Sequence, residues 1–143
     1  MLLTFLKGLF TNVVEVTISP STVELRCGDQ FVSLPARLHV QTGSQPPKVV
    51  GIGDQVQGGT TSQPIELFAV GHRVVPGWSH EKLLEVFFRG ALAMVGRSGH
   101  SVVRPCVRVH GVATVAGALG AQPEAVVKSA FLAIRAVACE VAD

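Results

Sequence analysis

The sequence predicts an α/β fold in which a mixed sheet opens with antiparallel strands and is packed by two main helices. β-Branched residues alternate over Val13–Ile18 and Thr22–Cys27, with a Ser-Pro-Ser turn between the two runs, which is typical of a β-hairpin. Helical patterns follow from Ser79 and from Pro123. Between them lies a strand-like segment, Val102–His110, which we expect at the centre of the sheet. Strands combined with helices in this way indicate an α/β domain.

The composition indicates one folded domain. The chain has 143 residues, of which 48% are apolar and 15% charged, so it can bury a core and is not of the disordered class. Its net charge of +2 comes from scattered basic residues, which argues against a nucleic-acid partner. Cys27, Cys106 and Cys139 form neither a disulfide framework nor a Cys-x-x-Cys motif, so we expect a reducing cytoplasm.

Further strands are predicted after the hairpin. Gly28-Asp29 makes a second turn into Gln30–Val40, a segment that Leu34-Pro35 bends or breaks. Three consecutive antiparallel strands therefore open the fold. Lys48–Ile52 is predicted as a short apolar strand and Ile65–Val70 as a further strand or edge segment, with polar loops around them.

Two helices complete the prediction. Ser79 caps the first helix, which runs to Val95 and is ended by Gly96. Pro123 suits a first helical position, and the last helix is predicted to run to Val141. Apolar residues surround most of its circumference, so part of it is expected either to form a surface for self-association or for a partner, or to lie in the core. With no strand predicted after it, one sheet edge is left exposed and is expected to be covered by something else.

The first residues form an amphipathic pattern. One side of a helical projection carries Leu2, Phe5, Leu6, Leu9 and Phe10, with Leu3 at its edge. The other side carries Thr4, Lys7, Gly8 and Thr11. A spanning helix needs about 20 apolar residues, so this segment is too short to cross a bilayer. It can lie in the membrane interface, where Lys7 favours an anionic leaflet, or pack on its own domain; the pattern leaves both open. We recognise no secretory signal, because Lys7 interrupts the apolar run and no Ala-x-Ala follows.

The order of three strands, a helix, a strand and a helix matches the first subdomain of the actin/Hsp70 superfamily, a ribonuclease H-like fold. Short motifs extend the match: Phe10-Thr11-Asn12, Lys48-Val49-Val50-Gly51-Ile52-Gly53, Glu81-Lys82-Leu83-Leu84 and Arg104-Pro105-Cys106-Val107-Arg108-Val109. In order and spacing they resemble the MreB family of bacterial actins, the rod shape-determining proteins, over roughly residues 1 to 115. The resemblance implies an amphipathic segment at 1–11 and an actin-like subdomain at 12–143. It also favours membrane binding by Leu2, Leu3, Phe5, Leu6, Lys7, Leu9 and Phe10.

The same resemblance implies a nucleotide site from which this chain departs. Family members bind ATP through an Asp-x-Gly-Thr loop between the first two strands, where backbone N–H groups hold phosphate and the Asp orients Mg²⁺-bound water. Here Thr17 stands at the Asp position, Ser19 replaces the glycine, and Pro20 has no N–H. The chain also stops before the lobe that would carry the second phosphate loop. We therefore expect no cofactor and no ATPase activity.

Other candidate sites carry little signal. Gly51-Ile52-Gly53-Asp54 with Gly58-Gly59-Thr60-Thr61 fits neither a dinucleotide fingerprint nor a P-loop, so a flexible surface loop is expected. The histidines are His39, His72, His80, His100 and His110, and none shows metal-ligand spacing with another or with a cysteine. His110 and Cys106 are expected to pack on one strand face, and Glu15 and Glu24 to face solvent. We assign no catalytic residue and no metal ligand.

The sequence thus predicts a non-catalytic, MreB-like cytoskeletal or cell-shape accessory protein. We expect it in the cytoplasm at the inner face of the plasma membrane, acting through self-association or through an actin-like or morphogenetic partner. Two alternatives stay open. One is an ATP-binding actin-like ATPase completed in trans by a second chain, against which Thr17, Ser19 and Pro20 count. The other is a soluble regulatory binding module with its N-terminal helix packed on the fold.

Overall fold

The computed structural model describes residues 13–41, 48–56, 61–68, 77–95, 105–134, 136 and 138–142. The predicted amphipathic segment at residues 1–11 lies outside this part of the chain. The described residues form two sheets, of five and four strands, with the helices packed against them. The predicted α/β fold is confirmed.

The five-stranded sheet opens with the predicted antiparallel strands. These are β1 (Val13–Ile18), β2 (Thr22–Cys27) and β3 (Gln30–Pro35). β1 and β2 pair with Glu15 opposite Arg26, and β2 and β3 with Arg26 opposite Phe31. Gly28 takes a φ of 59° in the turn between β2 and β3, a left-handed conformation that glycine adopts without steric cost. Both hairpins predicted from the alternating pattern are therefore present.

The predicted segment Gln30–Val40 divides between two sheets. Its first half is β3, and after Ala36 the chain enters β4 (Arg37–Gln41), so Leu34-Pro35 marks a break, as expected. The strands of the second sheet lie in the order β6-β5-β4-β7. The other three are β5 (Val49–Ile52), β6 (Gln55–Val56) and β7 (Ser62–Glu66). The strand predicted at Ile65–Val70 thus begins three residues earlier and ends at Glu66.

A helix and a strand follow as predicted. Helix α1 spans His80–Val95 and is preceded by Ser79, whose Oγ accepts a hydrogen bond from the Lys82 N–H at 3.1 Å. Strand β8 (Cys106–His110) pairs in parallel with β1. It lies between β1 and β9 and is therefore an inner strand of the sheet, as expected.

The last segment departs from the prediction. After a 3₁₀ turn at Val112–Val115 and a short helix α2 (Ala116–Leu119), helix α3 spans only Pro123–Ala133. The N–H groups of Ile134 and Ala136 both donate to the Phe131 carbonyl at 3.2 Å, which closes the last turn. The chain then forms β9 (Ala138–Val141), parallel to β8.

Two expectations are therefore wrong. The last helix does not run to Val141, and the sheet does not lack a final strand, because β9 adds to β8. The apolar residues at both ends of 123–141 suggested one helix with an apolar circumference. They belong instead to two elements, each of which buries one side: Val127, Ala130 and Phe131 from α3, with Cys139 and Val141 partly buried in β9.

The core lies between the five-stranded sheet and helices α1 and α3. We call the helix-covered side of the sheet its inner face; Val14, Val16 and Val109 on that face are fully buried. Phe88 of α1 stacks on Phe131 of α3 with ring centroids 4.2 Å apart and a 18° angle between the planes. Because the stacked rings join the two helices over the same sheet, this contact fixes the rotation of α3.

Substitution of Phe131, and of the adjacent Leu132 as a control, tests that rotation of α3. Phe131→Ala is expected to lower the free energy of unfolding by about 3–5 kcal/mol, since a buried ring is lost. Leu132→Ala, at a side chain that is 54% exposed, is expected to change it by no more than about 0.5 kcal/mol. Urea denaturation followed by circular dichroism measures both values. Equal losses would contradict the packing described.

Candidate functional site

The turn between β1 and β2 lies at the carboxyl end of β1, the edge where open α/β sheets bind ligands. It contains Ser19, Pro20 and Ser21. The Ser19 N–H donates to the Thr22 carbonyl at 2.9 Å, and the Thr22 N–H donates to Ser19 Oγ at 3.2 Å. The hydroxyl groups of Ser19 and Thr22 also lie 2.6 Å apart, at hydrogen-bond distance. The turn is therefore closed by hydrogen bonds between Ser19 and Thr22, the first residue of β2.

This closure leaves few backbone donors for a ligand. A phosphate-binding loop presents several backbone N–H groups to the anion. Of the four residues 19–22, Ser19 and Thr22 have their N–H groups engaged within the turn and Pro20 has none. Thr17 follows the alternation of β1 onto the side away from the core and is exposed. The three residues predicted as a degenerate phosphate loop thus lie together, in a geometry that offers phosphate at most one turn amide.

The loop that follows β8 packs against the end of β1, next to this turn. Gly111 directly follows β8, with a φ of 84°, and a Cβ added there would lie 2.1 Å from the Ile18 carbonyl oxygen. The Thr114 hydroxyl donates to the Gly111 carbonyl at 2.6 Å and lies 3.3 Å from the Ile18 carbonyl. The loop that follows β8 therefore fixes the end of β1. Its Gly111 lies so close to the Ile18 carbonyl that only glycine fits.

The face of the five-stranded sheet opposite the helices, which we call the outer face, carries a histidine–carboxylate pair. His110 Nε2 lies 2.6 Å from Glu15 Oε2, and both side chains are about two-fifths exposed. Cys106 and His110 were expected to pack on one strand face; both follow the alternation of β8 onto this face, and His110 makes a polar contact there. Glu15, expected to face solvent, is half-buried by its neighbours.

Four charged side chains cross this outer face in register, one from each of four adjacent strands. We call this set the charged row: Arg26 on β2, Glu15 on β1, Arg108 on β8 and Glu140 on β9. Arg108 Nη1 lies 3.8 Å from Glu15 Oε1, and Nη2 lies 3.7 Å from Glu140 Oε2. Beside the row, the Arg26 guanidinium lies 5.2 Å from the centroid of the Phe31 ring.

Sequence reasoning missed this row. Its only local signal is that the charged residues sit at outward positions of their strands. Which of them become neighbours depends on the parallel pairing of β1 with β8 and on β9, and β9 was predicted as helix.

Over the residues described, the glycine-rich segment forms a β-hairpin. Gly51 and Ile52 end β5, and Gly53-Asp54 form a two-residue turn into β6. A Cβ at Gly51 would lie 2.0 Å from the Gln55 carbonyl oxygen, and Gly53 has a φ of 63°. The strand predicted at Lys48–Ile52 is therefore confirmed over Val49–Ile52, and the loop predicted after it begins with the Gly53-Asp54 turn, while residues 58–60 lie outside the described part. These glycines serve a tight turn.

The remaining histidines and cysteines bind within the fold or lie outside the described residues. His39 Nε2 and His80 Nε2 contact the carbonyls of Gly53 and Leu67 at 2.8 and 2.6 Å. His72 and His100 lie outside. Burial raises the pKa of the Cys139 thiol to about 11, a shift that Lys128 partly offsets, and burial also raises the pKa of the Cys27 thiol. Thiols that stay protonated at neutral pH are weak nucleophiles.

The predicted membrane-binding residues all lie outside the described part of the chain. They are Leu2, Leu3, Phe5, Leu6, Lys7, Leu9 and Phe10. Within the described ranges, no helix has the length and apolar character needed to traverse a bilayer.

Comparison with solved structures identifies the fold. MreB5 of Spiroplasma citri bound to ADP is similar with a TM-score of 0.63 at 8% identity, over 94% of this chain and 38% of that chain. The same protein bound to AMPPNP gives 0.62 at 10% identity, over 94% and 39%. A non-polymerising mutant of MamK bound to AMPPNP gives 0.62 at 10% identity, over 91% and 41%. No family model matches the chain, and neither does any curated protein.

These likenesses confirm the fold implied by the resemblance to MreB, a subdomain of the bacterial actin type. The chain spans about two-fifths of the length of the similar chains. At identities of 8–10% the similarity shows the fold alone.

The contact between Gly111 and β1 gives a test of the site geometry. Gly111→Ala is expected to lower the free energy of unfolding by roughly 3 kcal/mol, because a left-handed residue gains a Cβ that meets the Ile18 carbonyl. Gly28→Ala is the matched control: its φ is also positive, but its Cβ would meet nothing within 4 Å, so a loss of about 1 kcal/mol is expected. Urea denaturation measures both. Equal losses would show that the two loops do not touch.

Proposed function

We propose that this chain is a non-catalytic, MreB-like accessory of a bacterial actin-type cytoskeleton with a role in cell shape. It acts in the cytoplasm at the inner face of the plasma membrane, to which its N-terminal segment binds. Its action is protein–protein association, with itself or with an actin-like partner, and involves no nucleotide chemistry.

The β1–β2 turn carries the non-catalytic part of this proposal. The similar solved structures hold ADP or AMPPNP, so nucleotide binding belongs to proteins of this fold. In this chain the N–H groups of Ser19 and Thr22 form hydrogen bonds within the turn, and Pro20 has no N–H. Ser19 and Pro20 also replace the glycine and threonine of the family motif, and Thr17 cannot hold Mg²⁺-bound water as a carboxylate does.

The amphipathic N-terminal pattern supports the membrane part. Full burial of a Leu or Phe side chain contributes about 1.5–3 kcal/mol, so partial insertion of several such residues can exceed the cost of ordering a short helix. That cost is large for helices under about 12–15 residues, so one copy binds weakly. Several copies held side by side attach far more firmly, which links membrane binding to self-association.

Similarity to a polymer-forming protein supports the association part. The MamK structure is of a mutant distinguished by its failure to polymerise. We extend assembly to this chain as self-association, or as joint assembly with an actin-like filament.

Nucleotide binding tests the first part. We expect a fluorescent ATP analogue, titrated with Mg²⁺, to show no saturable binding below about 1 mM, because the turn offers phosphate at most one backbone amide. An MreB-type protein with an intact Asp-x-Gly-Thr loop serves as the positive control under the same conditions. A dissociation constant in the micromolar range would contradict the proposal and favour an ATPase completed in trans.

Flotation with anionic liposomes tests the membrane part. Leu6→Glu with Phe10→Glu is expected to abolish co-flotation, because both charges enter the apolar side of the N-terminal helix. Thr4→Glu with Thr11→Glu adds the same charge on the polar side and is expected to retain most of it. Equal behaviour of the two variants would instead support a helix packed on its own domain.

A further inference from the structure

The outer face of the five-stranded sheet is open among the described residues. The described helices bury their side chains in the core against the inner face, whereas the side chains of Glu15, Arg108 and Glu140 on the outer face are 39%, 50% and 68% exposed. Two of the large exposed apolar side chains, Val13 and Phe31, lie on this same face. A face that combines charged and apolar side chains in this way is suited to contact another protein.

The charged row has a sign pattern with a specific symmetry. Across β2, β1, β8 and β9 the order is Arg26, Glu15, Arg108, Glu140, which is plus, minus, plus, minus. Reversing the order gives minus, plus, minus, plus, which is the complement of the original. The row is therefore complementary to a reversed copy of itself.

The ion pairs of Arg108 within the row leave its guanidinium available to a partner. Both ion pairs of Arg108 lie at 3.7–3.8 Å, beyond the 2.7–2.9 Å of close charge-assisted hydrogen bonds. The guanidinium carries five N–H donors, so it can keep its present contacts and donate to a carboxylate of a partner.

We propose that two copies of this chain associate face to face through their outer sheet faces, about a two-fold axis that runs parallel to the strands between β1 and β8. This axis places Arg26 opposite Glu140 of the second copy and Glu15 opposite Arg108 of the second copy. The interface is isologous, so each pairing occurs twice. Aligned sheets pack about 10 Å apart, a gap that arginine and glutamate side chains bridge from both sides.

Neighbouring rows fit the same axis. Val13 pairs with Cys106 across β1 and β8, so Val13 of one copy meets Cys106 of the other, an apolar contact. Thr17 pairs with His110 in the same register, so the threonine hydroxyl meets an imidazole. An axis perpendicular to the strands would keep the order of the row and oppose like charges, which costs several kcal/mol. Of these two orientations, charge complementarity favours the axis parallel to the strands.

This assignment rests on the self-association part of the proposed function and names its surface. Two charge-swap variants with the same net charge as the wild type distinguish an interface at the outer face from one at another surface. Glu15→Arg with Arg108→Glu gives plus, plus, minus, minus, which is still complementary to its reverse. Arg108→Glu with Glu140→Arg gives plus, minus, minus, plus, which opposes like charges at every position.

Sedimentation velocity of the purified chain over a range of concentrations is the experiment. We expect the wild type and the first variant to dimerise with dissociation constants within about tenfold of each other, and the second variant to be weakened at least about a hundredfold. Within its own sheet the first variant has more like-charged neighbours than the second, so any general loss of stability would weaken dimerisation of the first variant more. The expected order is the opposite, so misfolding cannot produce it. Thermal unfolding of each variant checks that it is folded. Wild-type dimerisation should also weaken as salt is raised.

The outcomes separate the two claims. A wild-type dimer that persists in the second variant would overturn this surface and leave self-association standing. A wild type that is monomeric throughout would overturn both, and a monomer that dimerises only after removal of residues 1–12 would assign the outer face to the N-terminal segment. When the wild type meets the first variant, the two central positions oppose like charges while the two outer ones stay complementary. Mixed dimers as stable as either homodimer would therefore also contradict the proposed pairing.

Discussion

The parallel pairing of β1 with β8 is the constraint on which the rest of the structure depends. It aligns Thr17 with His110, so that the chain leaves both strands at the same edge of the sheet. There Gly111 packs against the Ile18 carbonyl and holds the β1–β2 turn in place. On the outer face the same register sets Glu15 beside Arg108 and thereby creates the charged row. One strand pairing thus determines both the candidate nucleotide edge and the candidate interface.

Local patterns predicted most of the fold, and long-range pairing decided the rest. β1, β2 and α1 follow from alternation, turn residues and the Ser79 cap, all of which act within a few residues. The segment 123–141 is apolar enough for either a helix or a strand. Its end became β9 because β8 offers an unpaired edge there, a fact that no local pattern carries. The split of 30–41 between two sheets likewise depends on what each half pairs with.

At the candidate site, the missing N–H of Pro20 could be predicted from the sequence, whereas the hydrogen bonds between Ser19 and Thr22 could not. Pro20 lacks an N–H whatever its surroundings, so the absence of a backbone donor at this position could be deduced directly. That the Ser19 hydroxyl accepts from Thr22 and closes the turn depends on side-chain geometry. The charged row was out of reach because its members are separated by up to 125 positions, from Glu15 to Glu140, in the chain.

The claim that the β1–β2 turn closes on itself and binds no phosphate is tested most directly by amide hydrogen exchange, measured by NMR with and without Mg²⁺ and ATP. We expect slow exchange at the Ser19 and Thr22 amides in the free protein and no change of either resonance on addition of ATP. In Ser19→Ala the Thr22 amide should exchange faster, since its acceptor is gone. Rapid exchange at both amides in the free protein, with protection and a shift only when ATP is present, would contradict the account.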